Sequence, residues 1–263
     1  MGQRIVTGVV AGAAFVGLLA AGGWYYTGLL LLLAVIGYGE FARLNGQAWK
    51  RPDALAGFAA VVLIALPELP FGGRLPSFET IAWLLMFVLL AATVTSKNRI
   101  QLEHASVLLL GAVYVGTGFH YMAVTRDLEH GVFWSALTFA CIWASDAGAY
   151  FVGKAIGRTK LWPAISPNKT VEGALGGLAI AVIAGLIFSF AQPERLGYGQ
   201  AALIGLTAAV AGQLGDLIQS AYKRFRGVKD SGKLLPGHGG VLDRTDSWLI
   251  VFPIVHLLGL ISG

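Results

Sequence analysis

The sequence predicts an all-α polytopic membrane protein with about nine transmembrane helices, its N-terminus cytoplasmic and its C-terminus outside. Three observations carry this. Of the 263 residues, 56% are hydrophobic and only 13% charged, and the mean hydropathy is +0.70, which excludes an ordinary soluble domain. Apolar runs of about 17–21 residues recur between short polar breaks, the length a helix needs to cross a bilayer while satisfying its own backbone. The basic residues also segregate. With the N-terminus inside, the inner segments hold Arg4, Arg43, Lys50, Arg51, Lys97, Arg99, Lys154, Arg158, Lys160, Lys169, Lys223, Arg224, Arg226, Lys229, Lys233 and Arg244, sixteen of the nineteen Lys and Arg. The outer segments hold only Arg74, Arg126 and Arg195, as the positive-inside rule requires. The same bias accounts for the net charge of +5 and the pI near 9.4 without a nucleic-acid partner.

The spans run, in order, over Ile5–Gly22, Trp24–Phe41, Ala54–Leu69, Phe78–Thr95, Ala105–Thr125, Val132–Val152, Val171–Ala191, Gly199–Gln219 and Ser247–Ile261. Arg4 ahead of an apolar run resembles a signal peptide, but a polytopic chain follows, so an uncleaved first span is expected. Gly8 and Gly12 form a small-xxx-small pair suited to close helix approach. Pro52-Asp53 reads as a helix start before the third span, a short one, which holds Pro67 and Glu68. Glu40 ends the second span, either capping or snorkelling at the interface or touching a substrate. His104 and His120 are too far apart in sequence to suggest a metal pair, and the single Cys141 excludes an intrachain disulfide. One integral membrane domain, 1–263, is expected, with residues 1–125 mainly scaffold and residues 132–247 holding the catalytic spans and cytoplasmic loops.

Two polar islands interrupt this pattern. In the sixth span Asp146 lies eight residues before Lys154, about 12 Å below the cytoplasmic end at 1.5 Å per residue. A carboxylate there needs a wet cavity, a cation, a metal or an interhelical hydrogen bond. The following loop is basic, with Lys154, Arg158, Lys160 and Lys169, and contains Ile165-Ser166-Pro167-Asn168-Lys169-Thr170-Val171-Glu172-Gly173. This reads as a proline-stiffened turn entering a helix, whose first N–H groups and Lys169 suit a phosphate.

The second island, Gly212 to Ser247, holds six of the nineteen basic residues and four of the fourteen acidic ones. Gln213, Asp216, Ser220 and Lys223/Arg224 recur at helical spacing and form a polar stripe. Lys229-Asp230-Ser231-Gly232 and Leu235-Pro236-Gly237-His238-Gly239-Gly240 read as tight turns that let a backbone approach a ligand. Asp243-Arg244-Thr245-Asp246-Ser247 then enters the last span. Several carboxylates without thiolates favour a hard cation such as Mg²⁺, and the surrounding Lys and Arg favour a polyanion. Together they describe metal-assisted phosphoryl or nucleotidyl transfer on the cytosolic face of a membrane, with a lipid as one substrate. No P-loop pattern occurs.

Ser220-x-x-Lys223-Arg224, Lys229-Asp230, Pro236-x-His238-Gly239-Gly240 and Asp243-Arg244-x-Asp246 resemble the signature of the phosphatidate cytidylyltransferase, or CDP-diacylglycerol synthase, family. Ser145-Asp146 and Ile165-Ser166-Pro167-x-Lys169-Thr170-x-Glu172-Gly173 resemble that family's second region, with Ala147 standing where a hydroxyl residue is expected. The resemblance implies transfer of CMP from CTP to phosphatidate, giving CDP-diacylglycerol and pyrophosphate. It implies metal ligation by Asp216 and Asp246, extended to Asp146 and Asp243, with Mg²⁺ as cofactor and a second monovalent or divalent cation left open. Asp216, Asp246, Asp243, Lys223 and Arg244 form the implied catalytic set. Lys169, Ser166, Ser220, Arg224, Lys229, His238, Gly239 and Gly240 form the implied substrate-binding set. A homodimer in the cell (inner) membrane, its active site facing the cytoplasm, is the expected setting. A CTP-dependent lipid or polyprenol kinase shares these requirements, and an ion-coupled transporter explains intramembrane carboxylates but not the loops gathered on one side. The spaced pattern of CDP-alcohol phosphotransferases is absent.

Overall fold

In the computed structural model, which describes residues 2–47, 51–68, 74–234 and 239–261, long helices dominate. They are α1 (Gly2–Ala21), α2 (Gly23–Leu44), α3 (Pro52–Ala65), α4 (Phe78–Thr95), α5 (Leu102–Asp127), α6 (Gly131–Ile156), α7 (Val171–Ala191), α8 (Tyr198–Phe225), the short α9 (Leu242–Thr245) and α10 (Trp248–Leu257). Six of the described helices, α2 and α4 to α8, are long and apolar enough to cross a membrane. α3 and α10 have 14 and 10 residues, less than the about 20 that a crossing usually takes. The chain is therefore a mostly helical protein with several candidate membrane spans.

The expectation of a purely helical chain needs one correction. The loop between α6 and α7 is an antiparallel hairpin of β1 (Lys160–Trp162) and β2 (Ser166–Thr170), paired Lys160 to Thr170 and Trp162 to Ser166 with an irregularity between. Pro163 and Pro167 confine strand pairing to a few residues, so the segment shows no alternation of apolar and polar positions. Its base is tied to α7. The Glu172 carboxylate accepts the backbone N–H groups of Arg158 (3.0 Å) and Thr159 (3.1 Å), and the Thr170 hydroxyl caps α7 by accepting Gly173 N–H at 3.1 Å.

The chain forms two compact units, residues 1–124 with 230–244, and residues 125–229 with 245–263. In the first, α1 to α4 pack in sequence order. Tyr38 on α2 is fully buried, donates its hydroxyl to the Leu108 carbonyl of α5 at 3.3 Å and meets Phe58 of α3 edge to face at 4.9 Å. In the second unit α6, α7, α8 and α10 pack through small residues. A Cβ added to Gly173 would lie 2.7 Å from the Ala149 carbonyl oxygen, one on Gly177 2.8 Å from that of Ser145, and one on Gly205 2.6 Å from that of Ala181. These helices touch main chain to main chain, as membrane helices do where small residues line the seam. α10 closes on α8 through Ser247, whose hydroxyl donates to the Gly212 carbonyl at 3.1 Å, and through Phe139 of α6, which meets Trp248 and Phe252.

Candidate active site

Both polar islands contribute to the second unit. β2 presents Lys169, whose ammonium lies 2.5 Å from Oδ2 of Asp216 on α8. The side chains are 28% and 35% exposed, so the ion pair is neither deeply buried nor freely solvated. Ser220, one helical turn after Asp216, donates to its other oxygen at 3.2 Å. Asp146, exposed on α6, is within electrostatic reach of both Asp216 and Lys169. Gln213, one turn before Asp216, ties the three helices together, its amide donating to Ser145 Oγ (3.4 Å) on α6 and to the Ala174 carbonyl (3.1 Å) on α7.

Asp246 stands in the short link between α9 and α10, half-buried. Its Oδ1 accepts the Ser247 N–H at 2.8 Å. Gly215 lets this link approach α8, because a Cβ there would lie 2.6 Å from the Asp246 carbonyl oxygen. Burial and then the Asp216 carboxylate push the Asp246 carboxyl up to about 7, with Asp146 adding to the rise. The Ser247 N–H and Lys223 pull the other way without cancelling it. Three carboxylates from α6, α8 and the α9–α10 link thus share one electrostatic field with Lys169 and Lys223.

This donor set suits a divalent cation. Its ligands would be hard oxygens, and a cation would offset the burial and the like-charge repulsion that raise the Asp246 carboxyl. Among the described residues, however, no three Asp, Glu, His or Cys side chains converge closely enough to form a finished cage.

The other expected site residues divide into groups. Arg224 is exposed at the end of α8, its guanidinium donating to the Val228 carbonyl at 3.2 Å, and Lys229 is exposed beyond it. Ser166 is half-buried on β2, facing Trp162 in the hairpin register. Asp243, Arg244, Gly239 and Gly240 belong to the first unit. There Asp243 Oδ2 accepts the N–H groups of Ser231 and Gly240, each at 2.8 Å, and the Ser231 hydroxyl at 3.0 Å. That oxygen serves the architecture of its own loop. His238 and Pro236 lie outside the described residues, while Arg244 is exposed.

Two functional contributions were not legible beforehand. Glu172 was expected only as a first-turn acid, and its role in closing the hairpin that carries Lys169 shows only once that hairpin is seen. Glu40 is buried rather than snorkelling to solvent. It is 5% exposed and accepts hydrogen bonds from Ser231, Val241 and Leu242. Its one advance signal was an acid at the end of an apolar helix, which says nothing of a partner some 200 residues later.

The profile of the cytidylyltransferase family matches residues 2–262. A phosphatidate cytidylyltransferase of Bacillus subtilis (strain 168) is 40% identical, the match covering 98% of this chain and 97% of the relative. Proteins of that name from Staphylococcus haemolyticus (strain JCSC1435) and Staphylococcus aureus (strain COL) are 37% and 36% identical, each match covering 98% of both chains. Matched along nearly its whole length, the chain belongs to the cytidylyltransferase family.

Proposed function

We propose that the protein is a CTP:phosphatidate cytidylyltransferase. The observation that carries this reading is the Lys169–Asp216 pair, which joins the two signature regions in a unit that also holds Asp146 and Asp246; the near full-length relatives support it. A phosphate oxygen of phosphatidate attacks the α-phosphorus of CTP, the bond from that phosphorus to the bridging oxygen of the β-phosphate breaks, and pyrophosphate leaves. The nucleophile is already anionic at neutral pH, so no general base is required. Lys169 and Lys223 neutralise phosphate charge, Arg224, Lys229 and Arg244 supply further positive charge at the surface, and Ser220 holds Asp216 in place. Ser166, His238, Gly239 and Gly240 complete the proposed substrate contacts.

Asp216, Asp246 and Asp146 would hold Mg²⁺, and a cation bound there supplies charge neutralisation for the triphosphate. Asp243 is the fourth proposed ligand, and its Oδ2 also organises the loop by accepting three donors. The distribution of basic residues supports a cytoplasmic N-terminus and active site in the cell membrane, with nine crossings. In that topology α3 and α10 are the short ones. A homodimer is proposed by the resemblance alone.

The test uses purified protein, phosphatidate, Mg²⁺ and CTP labelled at the α-phosphate. Label entering the organic phase is the expected result. Label entering only from γ-labelled CTP would identify a lipid kinase, and label from neither would leave an ion-coupled transporter as the better reading.

A further inference from the structure

Glu40 is an acid that the reaction above does not use, yet it occupies the centre of the first unit's polar network. Its Oε1 accepts Val241 N–H, and its Oε2 accepts both Leu242 N–H and the Ser231 hydroxyl, each at 3.0 Å. Asp243 grips the same stretch from the other side through Ser231 and Gly240. The Ser231 hydroxyl lies 3.0 Å from a carboxylate oxygen of each acid, so its single hydrogen serves two acceptors. Three glycines leave room for these carboxylates. A Cβ on Gly232 or Gly240 would collide with the Glu40 carboxylate, and one on Gly239, at φ +85°, would lie 2.5 Å from Asp243 Oδ2.

A carboxylate this buried is costly unless donors surround it. The donors here are the loop's own amides and hydroxyl, so loop and carboxylate satisfy each other. Val241 and Leu242, 2% and 1% exposed, add apolar anchorage; Leu242 sits against Gly37, which is one turn before Glu40 on the same face of α2.

We propose that Glu40 is a positioning residue, whose carboxylate fixes the backbone at Ser231 and at Gly240–Leu242 in the conformation that receives the nucleotide's triphosphate. The identity of the ligand rests on the cytidylyltransferase reading; the dependence of the loop on Glu40 does not. The residue lies far in sequence from both signature regions and needs no contact with substrate to act.

Hydrogen exchange followed by mass spectrometry on the full-length protein in detergent, without nucleotide, tests the loop directly. Glu40→Gln keeps the volume but turns an amide NH₂ toward at least one of the three donors. The expected result is at least tenfold faster exchange in peptides covering 239–242, with α3 and α5 unchanged. In the α-labelled CTP assay the KM for CTP should rise about tenfold or more, the scale set by a lost hydrogen bond to a charged group. Gly240→Ala attacks the same contact from the loop and leaves α2 intact, so it decides the matter if Glu40→Gln does not fold.

Unchanged exchange at 239–242 in both variants overturns the proposal. So does acceleration spread through α2, α3 and α5 in both, which would make Glu40 a packing residue, or faster loop exchange with KM and kcat for CTP unaltered. Failure of the cytidylyltransferase reading would show separately, as an absence of labelled lipid from the unmodified protein, while the exchange comparison would still judge the loop.

Discussion

Replacing Lys169 with Met keeps the stem of the side chain and removes its charge, and two measurable consequences should move in opposite directions. Two unit charges about 4 Å apart attract by about 4 kcal/mol at an effective dielectric constant of about 20. Partial exposure of both side chains, 28% and 35%, returns much of that to solvent, leaving about 1–2 kcal/mol between the values for exposed and buried pairs. That corresponds to roughly a 5–30-fold change in an equilibrium constant. Because Lys169 competes with any cation for Asp216, Lys169→Met should bind Mn²⁺ more tightly by about that factor, read by electron paramagnetic resonance of free Mn²⁺. The same variant should lose about tenfold or more in kcat/KM for CTP, since the phosphates lose a positive partner. If Mn²⁺ affinity were unchanged or weaker, Asp216 would not be the cation's ligand, and the ion pair would be purely architectural.

Asp216→Asn and Asp246→Asn should each reduce turnover at least about a thousandfold while the protein inserts and keeps its circular dichroism, because catalysis of this kind is chiefly charge positioning; near-normal rates in both would remove the metal-site reading. The raised carboxyl of Asp246 gives a pH dependence with a defined sign. Its neutral form is favoured up to about 7, so the stability it contributes to the metal-free protein is complete below the ordinary carboxylate range and is lost as pH rises through about 7. Mn²⁺ affinity should therefore fall about tenfold per unit below pH 7, and Lys223→Met should move that midpoint upward; a flat profile from pH 5 to 8 contradicts it. Gly215→Ala pushes a methyl group to 2.6 Å from the Asp246 carbonyl oxygen, so it should cost about 1–3 kcal/mol in thermal unfolding and weaken Mn²⁺ binding together. Thr170→Val should cost about 1 kcal/mol by uncapping α7, with faster exchange confined to the hairpin and the first turn of α7.

Much of the helical pattern was legible because hydropathy reports which residues suit a hydrocarbon core. The spans expected at Phe78–Thr95 and Val171–Ala191 coincide with α4 and α7. It reports helix ends less well. α8 runs on to Phe225 and α6 to Ile156, because polar residues such as Ser220, Lys223 and Lys154 continue a helix after the apolar run has stopped. The hairpin escaped notice for the opposite reason, since a five-residue strand reading Ser-Pro-Asn-Lys-Thr carries no period for periodicity to find. The meeting of the two islands was readable as chemistry, in that Lys169 and Asp216 are complementary charges in basic and acidic motifs. Their pairing needed the fold. The Glu40 network was not readable at all. Its partners are main-chain amides, which every residue has, and nothing in a residue's identity announces which amide will be left to a distant carboxylate.

The glycine seam of α6, α7 and α8 bears on how freely this protein can vary. Where Gly173, Gly177 and Gly205 face carbonyl oxygens at less than 3 Å from a would-be Cβ, there is no layer of side chains to absorb change. The spacing of Asp146 from Asp216 is then inherited from the main-chain contacts of α7 with α6 and of α8 with α7. A side chain added at any of the three would force the main chains apart and carry the carboxylates with them. Positions such as Trp83 and Phe87, exposed and stacked on each other along α4, face no such restriction and are where drift should accumulate.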